Sequence, residues 1–323
     1  MSKEIKLVMY HYVRDLKNSA YPHIKGLDQS VFEKQMAYMK EHYTFLSMED
    51  LVEAVVTKND RLLPEHGVLL TFDDGYVDHY EVVYKVLRKY GAKGAFFPNA
   101  MAVKDHKLLT VNRIHFILAA AEAGEKVTIQ KLVEECRRQV EMYRREGIDL
   151  PEFEKLYQKL AVPNRWDPGE MIFVKRLLQN ALPERIRTDI AKELFARYIG
   201  EEEESFAKKL YMNRQQMEEM KDHGMYFGIH GYDHYWLGKL EEDDMKQDIE
   251  KARICFKGLV PEKDWVMNYP YGNYSDAVIR YIQENRCALA LGVEAGSFVM
   301  GRDNVYTIPR YDANDVYPKG TLV

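Results

Sequence analysis

Leu69-Leu70-Thr71-Phe72-Asp73-Asp74-Gly75-Tyr76 is an apolar run that ends directly in two acids and a glycine. Its apolar part is strand-length and reads as a buried strand. Ligands of parallel α/β sheets bind beyond the carboxyl ends of the strands, so a working carboxylate belongs at Asp73-Asp74. Adjacent carboxylates repel when both are ionised; a divalent cation held by one relieves the repulsion and leaves the other free as a base. The plainer alternative is an N-cap pair for a helix starting near Asp78.

The same strand-then-helix pattern surrounds this segment. Residues 7–10, 68–72 and 94–97 read as strands. The pattern predicts helices over 28–43, with Ser30 as N-cap, over 50–56, and over 78–90, the last stopped by Gly91. Such alternation predicts an α/β fold with a mostly parallel sheet. From about residue 105 to 221 the strand signal vanishes, and charged helical stretches are interrupted by Pro151, Pro163, Pro168 and Pro183. After Met225 the alternation resumes, with strands over 226–230, 265–268, 287–292 and 305–308 and helices over 240–259 and 275–285. The expected organisation is one α/β domain, residues 1–104 and 225–323, split by a helical insertion over 105–224.

Composition excludes several classes of function. With 46% hydrophobic residues among 323 the chain can bury a core, which excludes disorder as its main state. A net charge of -5 offers no attraction to phosphate backbones, so nucleic acid is not expected as a partner. Cys136, Cys255 and Cys287 are odd in number and far apart, suggesting neither a disulfide framework nor a zinc cluster of thiolates. No transmembrane segment is expected, because no stretch approaches the roughly 20 apolar residues a membrane span needs. The amino terminus lacks a signal-peptide core, so a cytoplasmic location is the expectation.

A second polar segment, Phe227-Gly228-Ile229-His230-Gly231-Tyr232-Asp233-His234, again follows a short apolar run. An HxxxH alone is weak, but two imidazoles with one carboxylate form the inventory of an open catalytic zinc site.

Thr71-Phe72-Asp73-Asp74-Gly75-Tyr76 and His230-Gly231-Tyr232-Asp233-His234 together resemble the first two motifs of the polysaccharide deacetylases, the NodB-homology family or carbohydrate esterase family 4. The resemblance implies a distorted (β/α) barrel and metal-dependent removal of acetyl groups from sugars. By position, Asp73 is then the general base, and Asp74, His230 and His234 hold the metal, with zinc the first choice and cobalt, nickel or manganese as alternatives. Asn268-Tyr269-Pro270-Tyr271-Gly272 is similar to the third motif, with Asn268 where an arginine usually stands and the Tyr271 N–H as oxyanion donor. The family's carboxy-terminal acid histidine is missing, since no histidine follows His234. Leu7-Val8-Met9-Tyr10-His11, however, is similar to the opening strand of the circularly permuted poly-N-acetylglucosamine deacetylases, which makes His11 the acid candidate.

Three readings of Arg310 stand side by side: a replacement for the missing arginine beside Asp73, a binder of substrate phosphate or carboxylate, or a surface ion pair. Trp166, Trp236 and Trp265 are candidates for sugar stacking, although aromatic residues more often serve the core. The expected substrate is an N-acetylated amino sugar in a glycan, or one linked to a lipid or nucleotide carrier, in surface-polysaccharide biosynthesis. The alternatives are a deformylase or O-deacetylase on the same fold, and a carbohydrate-binding protein that has lost catalysis.

Overall fold

The computed structural model describes residues 3–164 and 167–322. The chain forms two compact units: one holds the stretch ending at Asp15, Gly26–Lys107 and everything from Ala207 onward, and the other holds Leu16–Lys25 with Leu108–Phe206.

Strands in the first unit are β1 (Glu4–Tyr10), β2 (Val13–Arg14), β3 (Leu27–Asp28), β4 (Thr44–Phe45), β5 (His66–Asp74), β6 (Gly94–Pro98), β7 (Tyr226–Phe227), β8 (Trp265–Asn268), β9 (Cys287–Leu291), β10 (Ser297–Val299) and β11 (Tyr311–Asp312). β1, β5, β6 and β7 pair in parallel in that order. A single parallel bridge, Ile229 to Met267, carries the pairing to β8, which pairs in parallel with β9. A second bridge, Leu291 to Ile308, leads to the chain entering β11, and β11 returns in parallel to β1 at Val8 and Met9. The pairings therefore form a ring, drawn together in two places by one bridge each, which is a distorted barrel. β10 lies antiparallel on the amino-terminal half of β1.

Two faces follow from the two-residue period of the strands. Ile5, Leu7, Leu69, Phe97, Val266, Leu289 and Ile308 share one apolar cluster inside the ring. Val8, Tyr10, Leu70, Phe72 and Phe96 belong to a second cluster that includes the helical residues Phe32, Met36, Leu87 and Ile249.

Several local expectations need correction. The first helix is Gln29–His42, and its cap is Asp28, whose carboxylate accepts from Ser30 N at 3.0 Å; Ser30 lies inside the helix. The helix after Tyr76 opens with a π-turn, His79–Val83, before Tyr84–Tyr90. Residues 305–308 form no strand: Val305 O and Ile308 N each make one hydrogen bond to Ala290, and Pro309, which has no N–H, follows. β7 stops at Phe227, short of the expected 230.

The second unit is helical, with Thr110–Ala123, Ile129–Arg145, Phe153–Leu160, Gly169–Arg176 and Glu184–Tyr198. Leu132, Cys136 and Val140 line the buried stripe of the second of these at helical spacing. Tyr21 sets the edge of its ring against Phe116, which explains how Leu16–Lys25 joins this unit although the expected insertion began at residue 105. The segment after Phe206, expected to be insertion up to residue 224, lies with the first unit. No helix among the described residues is long and apolar enough to cross a membrane.

Gly228 joins β6 to the β8 side of the ring: its N–H donates to Phe96 O at 2.9 Å, while a Cβ built there would lie 2.8 Å from Val266 O and overlap the Phe97 ring. Gly228→Ala is expected to cost about 1–3 kcal/mol from overpacking, read from the urea midpoint; an unchanged midpoint would contradict this closure of the ring.

Candidate active site

The parallel strands of the first unit deliver their carboxyl ends to one place. Asp73 continues the inward parity of Leu69 and Thr71, so its carboxylate points into the ring. Asp74 would alternate outward, but its left-handed backbone, φ 71, followed by Gly75 at φ 78, breaks the alternation. Neighbouring acids thus reach the same site.

Arg310, fully buried, meets Asp73 with a two-pronged contact, Nη1 to Oδ1 at 2.8 Å and Nη2 to Oδ2 at 2.9 Å. The remaining donors go to Thr71 Oγ1, Gly292 O and Asn268 Oδ1. A guanidinium has five N–H groups, so none is left for a substrate anion. Of the three readings of Arg310, the geometry supports the partner of Asp73. Asn268, standing where the family's arginine is usual, serves as one of its acceptors.

On the other side of the pair, Asp74, His230 and His234 are all buried and present ligand atoms within 4.8 Å of one another. His230 Nε2 and His234 Nε2 lie 3.4 and 3.3 Å from Asp74 Oδ1, which has no hydrogen-bond partner. A tetrahedral ion with bonds of about 2.0–2.1 Å spaces its ligand atoms about 3.3 Å apart. The donor set and the unsatisfied buried oxygen therefore fit a divalent cation. His230 Nδ1 lies 2.7 Å from Asn268 O, which turns Nε2 toward the site. Burial lowers the His234 imidazole, favouring the neutral form a ligand needs.

His11 follows the end of β1. Its Nε2 is 4.0 Å from Asp73 Oδ2, and its side chain is 41% exposed where that of Asp73 is 3%, so it is open to an incoming molecule. Tyr271 is left-handed at φ 58, and its ring packs edge-on to His234 and stacks on Trp236, both at 4.6 Å. Lys239 Nζ sits 4.5 Å from the Trp236 ring centroid; Trp265 is core and Trp166 lies outside the described residues. Left-handed Asp74, His234 and Tyr271 concentrate backbone strain of about 1–3 kcal/mol each where the strand ends meet.

A family model for polysaccharide deacetylases matches residues 60–150 and 196–289, more than half of the chain. The chain belongs to this family. YxkH of Bacillus subtilis (strain 168), which bears a polysaccharide deacetylase name, is 30% identical over 130 residues, and the match covers 40% of this chain and 44% of that protein. Among solved structures, the Streptococcus pyogenes deacetylase PplD in complex with acetate is similar, with a TM-score of 0.55 at 17% identity over 97% of this chain and 93% of that one. IcaB from Ammonifex degensii gives 0.54 at 16% identity over 96% and 92%. At such identities these structures speak to the fold.

Three residues near the site of this polysaccharide deacetylase escaped sequence reading. Asp248, on the helix Glu242–Cys255, accepts from Tyr232 N at 2.9 Å and Asp233 N at 2.8 Å, and so shapes the loop carrying both histidines. His79 lies 2.9 Å from His11 O through Nε2 and anchors the backbone at His11. Tyr76 donates to Asp74 Oδ2 at 2.5 Å. Of these, only Tyr76 carried a local signal, its place in the first motif.

Burial opposes ionisation of Asp73, but the Arg310 guanidinium holds the carboxyl down to about 2 against an ordinary 3.8. A carboxyl lowered by folding adds stability above its unfolded pKa, and this is lost as pH falls through the folded one. The acid limb of stability between pH 3.8 and about 2 should therefore flatten in Asp73→Asn, checked by thermal unfolding against pH. Arg310→Met, which leaves a buried carboxylate unpaired, should cost about 3–5 kcal/mol, and adding Asp73→Asn should restore part of it. Strictly additive losses in urea unfolding would argue against the pairing.

Proposed function

We propose that this polysaccharide deacetylase hydrolyses the N-acetyl group of an amino sugar in a glycan, using a divalent cation held by Asp74, His230 and His234, with zinc the first choice. The observation that carries the reading is the side-by-side pairing of a carboxylate held ionised by Arg310 with a buried Asp-His-His set whose spacing suits one cation. The fold relatives support the amide reading, because one of them is a de-N-acetylase from Aggregatibacter actinomycetemcomitans.

When bound, the cation supplies Lewis-acid polarisation of the acetyl carbonyl and a more acidic water. In this mechanism Asp73 takes the proton of the water that attacks the carbonyl carbon. Arg310 holds that carboxylate in place, and because all its own donors are engaged it does not compete for substrate. The N–H of Tyr271 is assigned to the oxygen that gains negative charge. Protonated His11, the site histidine open to solvent, gives its proton to the departing nitrogen as the C–N bond breaks. The products are acetate and the free amino sugar.

The binding-only alternative draws on Asn268 in place of the usual arginine and on the helical insertion; the Arg310 contact with Asp73 speaks against the first of these. No feature of the described residues favours a lipid or nucleotide carrier over a free glycan, nor an acetyl over a formyl leaving group.

Asp73→Asn is expected to slow acetate release from N-acetylated glycans by about 10² to 10⁴-fold while zinc content stays at the wild-type level. His230→Ala should lose both metal and turnover. Near-normal turnover by Asp73→Asn would remove it as the base. Dialysis against a chelator should abolish activity and zinc or cobalt should restore it, whereas full activity in the chelated protein would exclude the cation's part.

A further inference from the structure

Of the two oxygens of Asp74, one faces the histidines and the other is already taken. Oδ2 accepts the hydrogen bond from Tyr76 Oη at 2.5 Å, and both residues are buried. Oδ1 is the atom toward which His230 and His234 converge. A carboxylate has no proton to give, so the phenol must be the donor. The tyrosine has little freedom to leave. Its ring stacks on Tyr12 with centroids 4.0 Å apart and lies parallel to that of Tyr211 at 6.0 Å. Its backbone is pinned on both sides, by Met212 N to Gly75 O at 2.9 Å and Val77 N to Leu210 O at 2.8 Å. Tyr12 is covered in turn by the Arg14 guanidinium at 4.8 Å, which is tied to Asp78 Oδ2 at 2.7 Å.

We infer that Tyr76 is a positioning residue for the metal centre: by occupying Asp74 Oδ2 it makes the carboxylate a one-oxygen ligand and aims Oδ1 at the two imidazoles. The inference rests on the proposed role of Asp74 as a ligand. Without the hydroxyl, Oδ2 would be an unsatisfied buried oxygen, and the carboxylate would be free to turn and offer both oxygens to a cation. Removing partners that orient a metal ligand typically costs 10- to 100-fold in affinity.

The test is Tyr76→Phe, which keeps the ring and deletes one oxygen. Chelated full-length protein, checked for folding by circular dichroism, is titrated with Zn²⁺ and separately with Co²⁺. Zn²⁺ affinity is expected to fall about 10- to 100-fold, and the visible Co²⁺ band should weaken as the coordination number rises. A variant with wild-type affinity and a wild-type Co²⁺ spectrum overturns the inference and leaves the metal site standing. Wild-type protein that binds neither ion overturns the proposed site, and the inference with it. Should Tyr76→Phe fail to fold, proton NMR of the zinc-loaded wild type decides: a slowly exchanging, downfield hydroxyl proton assigned to Tyr76 supports the inference, and a rapidly exchanging one overturns it.

Discussion

Asp73 is an ionised carboxylate on the inward face of a barrel, and it can remain so because Arg310 meets it with two parallel hydrogen bonds. A buried carboxylate left unpaired would take up a proton or destabilise the fold by several kcal/mol. The arginine is itself held by Thr71, Gly292 and Asn268, so three separate strand ends are tied to one carboxylate. Fold and chemistry share this knot. The contacts that keep Asp73 ionised also hold together the ends of β5, β8 and β9.

Backbone geometry does the complementary work for Asp74. A regular strand would send two adjacent acids to opposite faces. Left-handed Asp74 and Gly75 bring them to one site, and a Cβ on Gly75 would lie 2.8 Å from Pro98 Cα, so a side chain there would collide with the end of β6. The histidine loop solves a similar problem through Gly231 and Asp248, whose carboxylate gathers the loop's N–H groups. Of the eight left-handed non-glycine residues among those described, three, Asp74, His234 and Tyr271, lie at this site.

Much of this was legible in the chain itself. Runs such as 68–72 and 94–97 announced their strands because they are apolar on both faces, and the two polar motifs pointed to the residues that the fold gathers into a buried Asp-His-His group. Arg310 was visible only as one of three readings, since a sequence does not show how many of its N–H groups are already engaged. His79 and Asp248 were hidden for a different reason: each acts through a contact set by tertiary packing, and Asp248 lies on a helix that resembles any solvated acidic helix; Tyr76 stood in the first motif, but the motif does not show which oxygen of Asp74 its hydroxyl meets. The strand expected over 305–308 failed because an apolar run cannot distinguish a full ladder from a single bridge ahead of a proline. Leu16–Lys25 carried no sign that it packs with the helical unit, because Tyr21 reaches Phe116 across a long separation in sequence.

The central claim is that one cation sits between Asp74, His230 and His234, beside a carboxylate that Arg310 keeps for proton transfer. X-ray absorption at the zinc edge of the zinc-loaded chain tests it most directly. The account predicts a shell of nitrogen and oxygen only, with the multiple-scattering signature of two imidazoles. A sulfur scatterer, or a shell with fewer than two imidazoles, would contradict it.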